Sequence, residues 1–174
     1  ALLLTPLLAA VLIALFARAA AQGPARLLIC GAGPCEADLR QQAAATGLGD
    51  RIGFAGQLDD VRRALTPNSV FALTSATEQM PNALLQAMAM GRPAVAFAAG
   101  DIARILPRTV PGQVVPQGDD DGFVAALGRL LRDGGLRTRL GQANRARAEA
   151  DYDMRAMVAA YDRLYRDALE RRAL

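Results

Sequence analysis

The sequence predicts an α/β chain in which a parallel sheet carries helices on both faces and a helical region closes the C-terminus. Two observations lead there. Short unbroken apolar runs, RLLIC at 26–30, SVFALT at 69–74 and the run from Pro93 to Ala98, alternate with segments of helical spacing. Parallel strands are covered on both faces by their crossover helices, so they read as continuous rather than alternating apolar runs. From Asp119 onward apolar residues recur at helical spacing almost to the end.

Taken in order, residues 1–17 carry no charge and predict a buried helix ending near Ala21 and Gln22, where Gly23-Pro24 stops it. A signal or membrane anchor is the weaker account. Pro6 interrupts the run, no basic leader precedes it, and about 20 apolar residues are needed to span a bilayer. Residues 26–30 form a buried strand before Gly31-Ala32-Gly33-Pro34, and residues 35–46 a helix with Leu39 and Ala43 on one face. Ile52-Gly53-Phe54 is a short strand ending at Gly56. Asp59 to Leu65 is a short helix whose acidic start suits the helix dipole. Ser69 to Thr74 is the next strand, Pro81 to Met90 a helix stopped by Gly91 and Pro93, and Pro93 to Ala98 a further strand. Ile102 to Leu106 makes one or two turns, and Val114-Val115 is extended. Helices follow at 121–132, 136–150 and 153–170, the last with Met157, Val158, Tyr161, Leu164, Tyr165 and Leu169 on one face.

A length of 174 residues suits one domain, with an apolar helix over 1–22 and C-terminal helices over 119–174. All 20 basic residues are Arg, net charge is +3, and no dense basic block of the nucleic-acid-binding kind is present. The absence of His removes Ser-His-Asp and Cys-His chemistry and every His-containing metal site, so a general acid or base is a carboxylate or comes from another domain. Cys30 and Cys35 flank a Gly-rich turn without CxxC spacing and read as structural thiols in a reducing cytosol. The Arg-rich tail (Arg137, Arg139, Arg145, Arg147, Arg171, Arg172) reads first as solvated helix faces, with peripheral contact to anionic lipid as the alternative. Ligands of open parallel sheets sit at the carboxyl ends of strands, so loops 31–35, 55–58, 75–81 and 99–101 are the ones to inspect.

The chemistry concentrates in residues 75–93, SATEQMPNALLQAMAMGRP. A strand ends at Thr74, a polar loop follows, and Pro81 opens a helix where its missing N–H is no loss. The first amides of that helix lack internal partners and favour an anion such as a diphosphate. Leu84, Leu85 and Met88 share the core side, while Asn82 and Gln86, four apart, share the opposite stripe. Glu78 lies just before. A carboxylate, free amides and an amide side chain then line one strip, suited to a ligand with hydroxyls at both ends and phosphates between. The bland alternative makes Glu78 a helix-start acid and Gln86 a surface residue.

The segment LTSATEQMPNALLQAMAMGRPAVAF resembles the signature of family 4 glycosyltransferases: a Glu, then Gly, a variable residue and Pro, then a helix with a second Glu eight positions after the first. RLLICGAGP, DRIGFAGQLDDV, AAGDIARIL and GQVVPQGDDDGFVAALGRLL resemble the family's other landmarks in order, so the likeness covers roughly residues 17–170. The resemblance implies a Rossmann-like C-terminal half of a GT-B fold and retaining hexosyl transfer from a nucleotide-diphosphate sugar to an acceptor glycan or lipid. That donor is a substrate, and no cofactor or metal is implied. By the same resemblance Glu78 is the catalytic-site residue that contacts donor sugar hydroxyls. Gln79, Met80, Pro81 and Asn82 hold phosphate and sugar, Gln86 faces the ribose, and Gly31 and Gly33 admit the ligand to the backbone.

Departures carry their own expectations. Gln79 replaces the usual Gly, leaving the loop less free to take positive φ. Gln86 replaces a carboxylate and offers one acceptor oxygen instead of two. The chain begins with Ala, lacks Lys, and does not contain the upstream Arg and Lys that the family places on the diphosphate. It therefore reads as a fragment without its N-terminal acceptor domain, expected to bind nucleotide weakly and to catalyse nothing by itself. The expected site of action is the cytoplasm, at the inner face of the membrane if lipid is bound. Two rivals remain. One is a dinucleotide-binding domain, suggested by Gly31-Ala32-Gly33 but lacking the third Gly and the later acidic residue. The other is a degenerate nucleotide-binding or interaction module without catalysis.

Overall fold

The computed structural model describes residues 6–21, 23–107 and 109–172. Residues 1–5 and Gln22, expected in the first helix, lie outside the described residues, as do the side chains of Arg171 and Arg172. The elements in order are α1 (Pro6–Ala19), β1 (Leu27–Cys30), α2 (Glu36–Ala45), β2 (Ile52–Gly56), β3 (Phe71–Leu73), α3 (Asn82–Ala89), β4 (Ala94–Phe97), α4 (Ile102–Ile105), β5 (Val114–Val115), α5 (Asp120–Arg132), α6 (Gly134–Asp151) and α7 (Met154–Arg172). Short 3₁₀ turns at Gly49–Arg51 and Val61–Arg63 precede β2 and β3.

All strand pairings are parallel and fall in two ladders, β1-β2 and β3-β4-β5. Leu27 pairs with Ile52 in the first, and Ala72 with Val95 and Ala96 with Val114 in the second. The expected α/β class with parallel strands and flanking helices holds. β4 shows why. Its four residues are all buried and alternate between two cores. Val95 and Phe97 face Leu15 of α1 and Phe123, Leu127 and Leu130 of α5, while Ala94 and Ala96 face Leu84 and Met88 of α3 and Ile102 of α4. A period of two along the strand thus feeds one face to each helical layer.

Helix α1 joins the ladders. Leu15 packs in the β4 core, whereas Ile13, Phe16 and Ala20 pack with Ile29, Ala43 and Ile52 around β1, β2 and α2. An apolar helix buried on several sides accounts for the charge-free run that ends before Arg18. At 1.5 Å per residue its 14 residues span about 21 Å, short of a bilayer core. No helix among the described residues is long and apolar enough to cross a membrane. Arg51 ends α1, its guanidinium donating to the carbonyls of Ala20 at 2.8 Å and Ala25 at 2.9 Å.

The run 26–30 is less buried than the sequence suggests. Leu28 is 50 % exposed because the β1-β2 ladder is covered on the Ile29 side, and alternate residues turn outward. The expected helix at 59–65 shrinks to the 3₁₀ turn, with Asp60 capping it by accepting from the Arg62 amide at 3.0 Å. The Arg62 guanidinium beside it holds the Asp60 carboxyl below the usual carboxylate range.

Asp residues organise the C-terminal helices. Asp119 caps α5 through the Gly122 amide, and Asp133 both follows α5 and caps α6 through the Leu136 amide at 2.8 Å. Arg137 donates to the carbonyls of Leu130 and Leu131, Arg145 pairs with Glu149 and Arg147 with Asp151. Arg145 and Arg147 thus pair within α6, while Arg137 reaches back to the end of α5. A buried amide pair anchors α6 to the sheet. Gln113 and Asn144 exchange two 2.8 Å hydrogen bonds, and they also satisfy the Ala94 amide and the Arg92 carbonyl. Along α7, Met157, Val158, Tyr161, Leu164, Tyr165 and Leu169 are all more than half exposed.

Candidate functional site

The site is built where β3 and β4 end. Parallel strands deliver their following loops to the same edge, so residues 74–81 and 98–101 meet there. Thr74 is fixed first, its hydroxyl donating to the Leu8 carbonyl of α1 at 2.8 Å. The loop then runs over an open crevice lined by Ala76, Thr77, Glu78, Gln79, Met80 and Gly100. Among these lining residues Glu78 carries the only charge.

Glu78 is held at both ends. Ser75, 4 % exposed, donates its hydroxyl to Glu78 Oε1 at 2.6 Å. The Glu78 carbonyl accepts the Asp101 amide at 3.3 Å. Gly100, at φ +51°, lies against that same carbonyl so closely that any Cβ would overlap its oxygen. The loop that follows β4 is thereby locked onto the loop that follows β3.

Pro81 sits at the N-cap of α3 in extended conformation and is buried, and its carbonyl accepts the amides of Leu84 at 3.0 Å and Leu85 at 3.2 Å. The amides of Gln79, Met80, Asn82 and Ala83 donate to no described residue. With no side chain capping this helix start, the positive end of the dipole is left to solvent or to an anion. Leu84, Ala87 and Met88 are buried, and Asn82 and Gln86 are exposed on the opposite stripe, the division the 3.6-residue period requires.

The far end of α3 closes by a Schellman turn. The Gly91 amide donates to Met88 at 2.8 Å and the Arg92 amide to Ala87 at 2.9 Å, with Gly91 at φ +66°. There α3 crosses α6 closely: a Cβ on Gly141 would overlap the Gly91 carbonyl oxygen. The helix whose start lines the site is thus fixed at its other end by backbone contact.

Of the residues singled out from sequence, Glu78, Gln79 and Met80 share the crevice. Pro81, Asn82 and Gln86 follow on α3, with only the latter two exposed. Gly31 and Gly33 lie at the end of the other ladder and are not among the lining residues. The Gly31 amide donates to Gly56 at 2.7 Å, joining loops 31–35 and 55–58, and Gly33 is exposed with open space where a Cβ would point. No described non-glycine residue has positive φ, so Gln79 takes an ordinary conformation and the loop forms without the family's glycine. Ser75 and Gly100 were not singled out as site residues. The signal for them was the shared strand edge, which marks both loops without saying which residues touch.

Residues 7–133 match the family model described as "Glycosyl transferases group 1". Among curated proteins, the lipopolysaccharide core biosynthesis glycosyltransferase LpsE of Rhizobium meliloti is 30 % identical over 135 residues, covering 78 % of this chain and 40 % of the relative. Sucrose-phosphate synthase from Thermosynechococcus elongatus superposes with TM-score 0.82 at 27 % identity, over 93 % of this chain and 42 % of that one. Anabaena HepE, solved in complex with UDP-glucose, superposes with TM-score 0.76 at 22 % identity, over 92 % and 44 %. This chain spans about two fifths of the length of the curated relatives that it matches first.

Proposed function

The chain belongs to the glycosyl transferases group 1 family, and on that premise we propose that the crevice at Glu78 and the start of α3 binds the donor, a nucleotide-diphosphate sugar. One observation carries the reading: a fixed carboxylate stands beside a row of unpartnered amides at an uncapped helix start. The amides and the dipole favour the diphosphate, and the carboxylate accepts hydrogen bonds from the sugar hydroxyls. Asn82 and Gln86 continue the strip toward the nucleoside. The complex of Anabaena HepE with UDP-glucose supports a donor of this class.

By the resemblance to family 4, the reaction is retaining transfer of a hexosyl group to a glycan or lipid acceptor. The lipopolysaccharide-core role in the name of LpsE is consistent with such an acceptor. This chain supplies the C-terminal, donor-binding half, and the apolar stripe of α7 is a surface for the acceptor-binding half. In this reading Glu78 orients the sugar, while charge developing on the leaving diphosphate is stabilised by amides here and by cations outside this chain. One helix start supplies up to about 2 kcal/mol, too little for transfer, so the isolated chain binds without turning over. The second reading, a nucleotide-binding module without catalysis, is favoured by Gln86 standing where the family has a carboxylate.

The test is a donor screen on the full-length protein, measuring nucleoside diphosphate release with and without glycan and lipid acceptors. Acceptor-dependent release that Glu78→Gln abolishes is expected. Tight binding without release in any pairing would favour the second reading, and binding of NAD instead of nucleotide sugars would reject both.

A further inference from the structure

We propose that Ser75 and Gly100 are positioning residues for the donor sugar, acting through Glu78. This rests on the donor-site reading above and goes beyond it by naming what sets the carboxylate's direction.

A glutamate at a crevice edge has three side-chain torsions and samples many rotamers. Here one oxygen, Oε1, is engaged by the hydroxyl of a 4 % exposed serine at 2.6 Å, which leaves Oε2 and the remaining lone pair of Oε1 for a ligand. The hydrogen bond spans three residues of one loop, so it fixes the carboxylate relative to β3. The peptide of Glu78 is fixed separately. Asp101 donates to its carbonyl, and Gly100 fills the remaining approach with a backbone that leaves no room for a Cβ. Side chain and main chain of residue 78 are thus held by two different loops. Such locking lowers the ordering cost on binding, and it affects chiefly the part of the ligand that the carboxylate touches. Gly100 also lines the crevice itself, so a side chain there would both displace Glu78 and occupy ligand space.

The expected signature is a split between two affinities. Calorimetry on the full-length protein would measure dissociation constants for a nucleotide sugar and for its nucleoside diphosphate, using UDP-glucose and UDP, then GDP-mannose and GDP. The ratio of the diphosphate's dissociation constant to the nucleotide sugar's isolates the sugar's share. Ser75→Ala should reduce that ratio about tenfold while leaving diphosphate affinity within about twofold. Ser75→Thr, which keeps the hydroxyl, should restore it. Gly100→Ala should lower the ratio at least as far. Retained diphosphate binding in Ser75→Ala shows that this variant is folded, and keeps the test valid if Gly100→Ala fails to fold. Loss of the ratio in Glu78→Gln but not in Ser75→Ala would overturn the positioning role and leave the donor site standing. An unchanged ratio in Glu78→Gln would overturn both.

Discussion

At the scale of single residues, position 86 is the sharpest departure from the family pattern. In the proposed donor site, the exposed amide on the second turn of α3 would offer a ribose one acceptor oxygen, where a carboxylate offers two and bears charge. Hydrogen bonds to charged groups contribute about 1.5–3 kcal/mol against about 0.5–1.5 for neutral ones. Gln86→Glu should therefore tighten nucleotide binding by about 1 kcal/mol, or five- to tenfold, in a calorimetric titration. Unchanged or weaker affinity would remove residue 86 from the site. Cys30 offers a second check. Burial pushes its thiol above the ordinary value, so thiolate is scarcer in the fold than in the unfolded chain. At pH 8 its alkylation by iodoacetamide should be slower in buffer than in urea, with mass spectrometry resolving it from Cys35. Equal rates would contradict the burial. Glu78 was readable from sequence because its chemistry is local: a carboxylate just before a Pro-opened helix. Ser75 and Gly100 were not, because Ser looks like any loop residue and Gly100 meets Glu78 only once two strands lie side by side.

At the scale of elements, α3 opens at the candidate site, and the molecule holds it at both ends. Its start is aimed by the Pro81 cap, and its end by the Gly91 turn pressed on Gly141 of α6. Alanine at 141 would gain about 1 kcal/mol in helix propensity. The overlap with the Gly91 carbonyl would force the helices apart, and overpacking of this kind costs about 1–3 kcal/mol. Urea denaturation of Gly141→Ala should show a net loss of stability, and a gain would mean that the crossing is looser than described. The existence of most helices and strands was legible, since periodicity, Pro81, Gly91 and the capping Asp119 are local signals. Extents were less so. Strand 69–74 narrows to Phe71–Leu73 because only three residues find partners on β4. The outward turn of Leu28 depends on which face of the β1-β2 ladder is covered, which no local pattern states. Gln113 and Asn144 read as ordinary polar residues, yet they form the buried joint between β4, the segment before β5 and α6.

At the scale of the molecule, α1 ties two short parallel ladders into one body, which is why it carries no charge before Arg18 in its last turn. The ladders bring two sets of loops to their carboxyl ends, Gly31 and Gly56 on one and Glu78 and Gly100 on the other. The exposed apolar stripe of α7 marks a surface that the other described residues do not cover. The central claim is that the amides opening α3 and the carboxylate before them receive a sugar nucleotide. Its most direct test is a heteronuclear NMR titration of the ¹⁵N-labelled protein with UDP-glucose and GDP-mannose. The largest amide shifts should fall between Thr77 and Ala83, with the Asn82 and Gln86 side-chain amides moving alongside them. Saturable shifts that leave this segment unmoved and gather elsewhere on the surface would contradict the account.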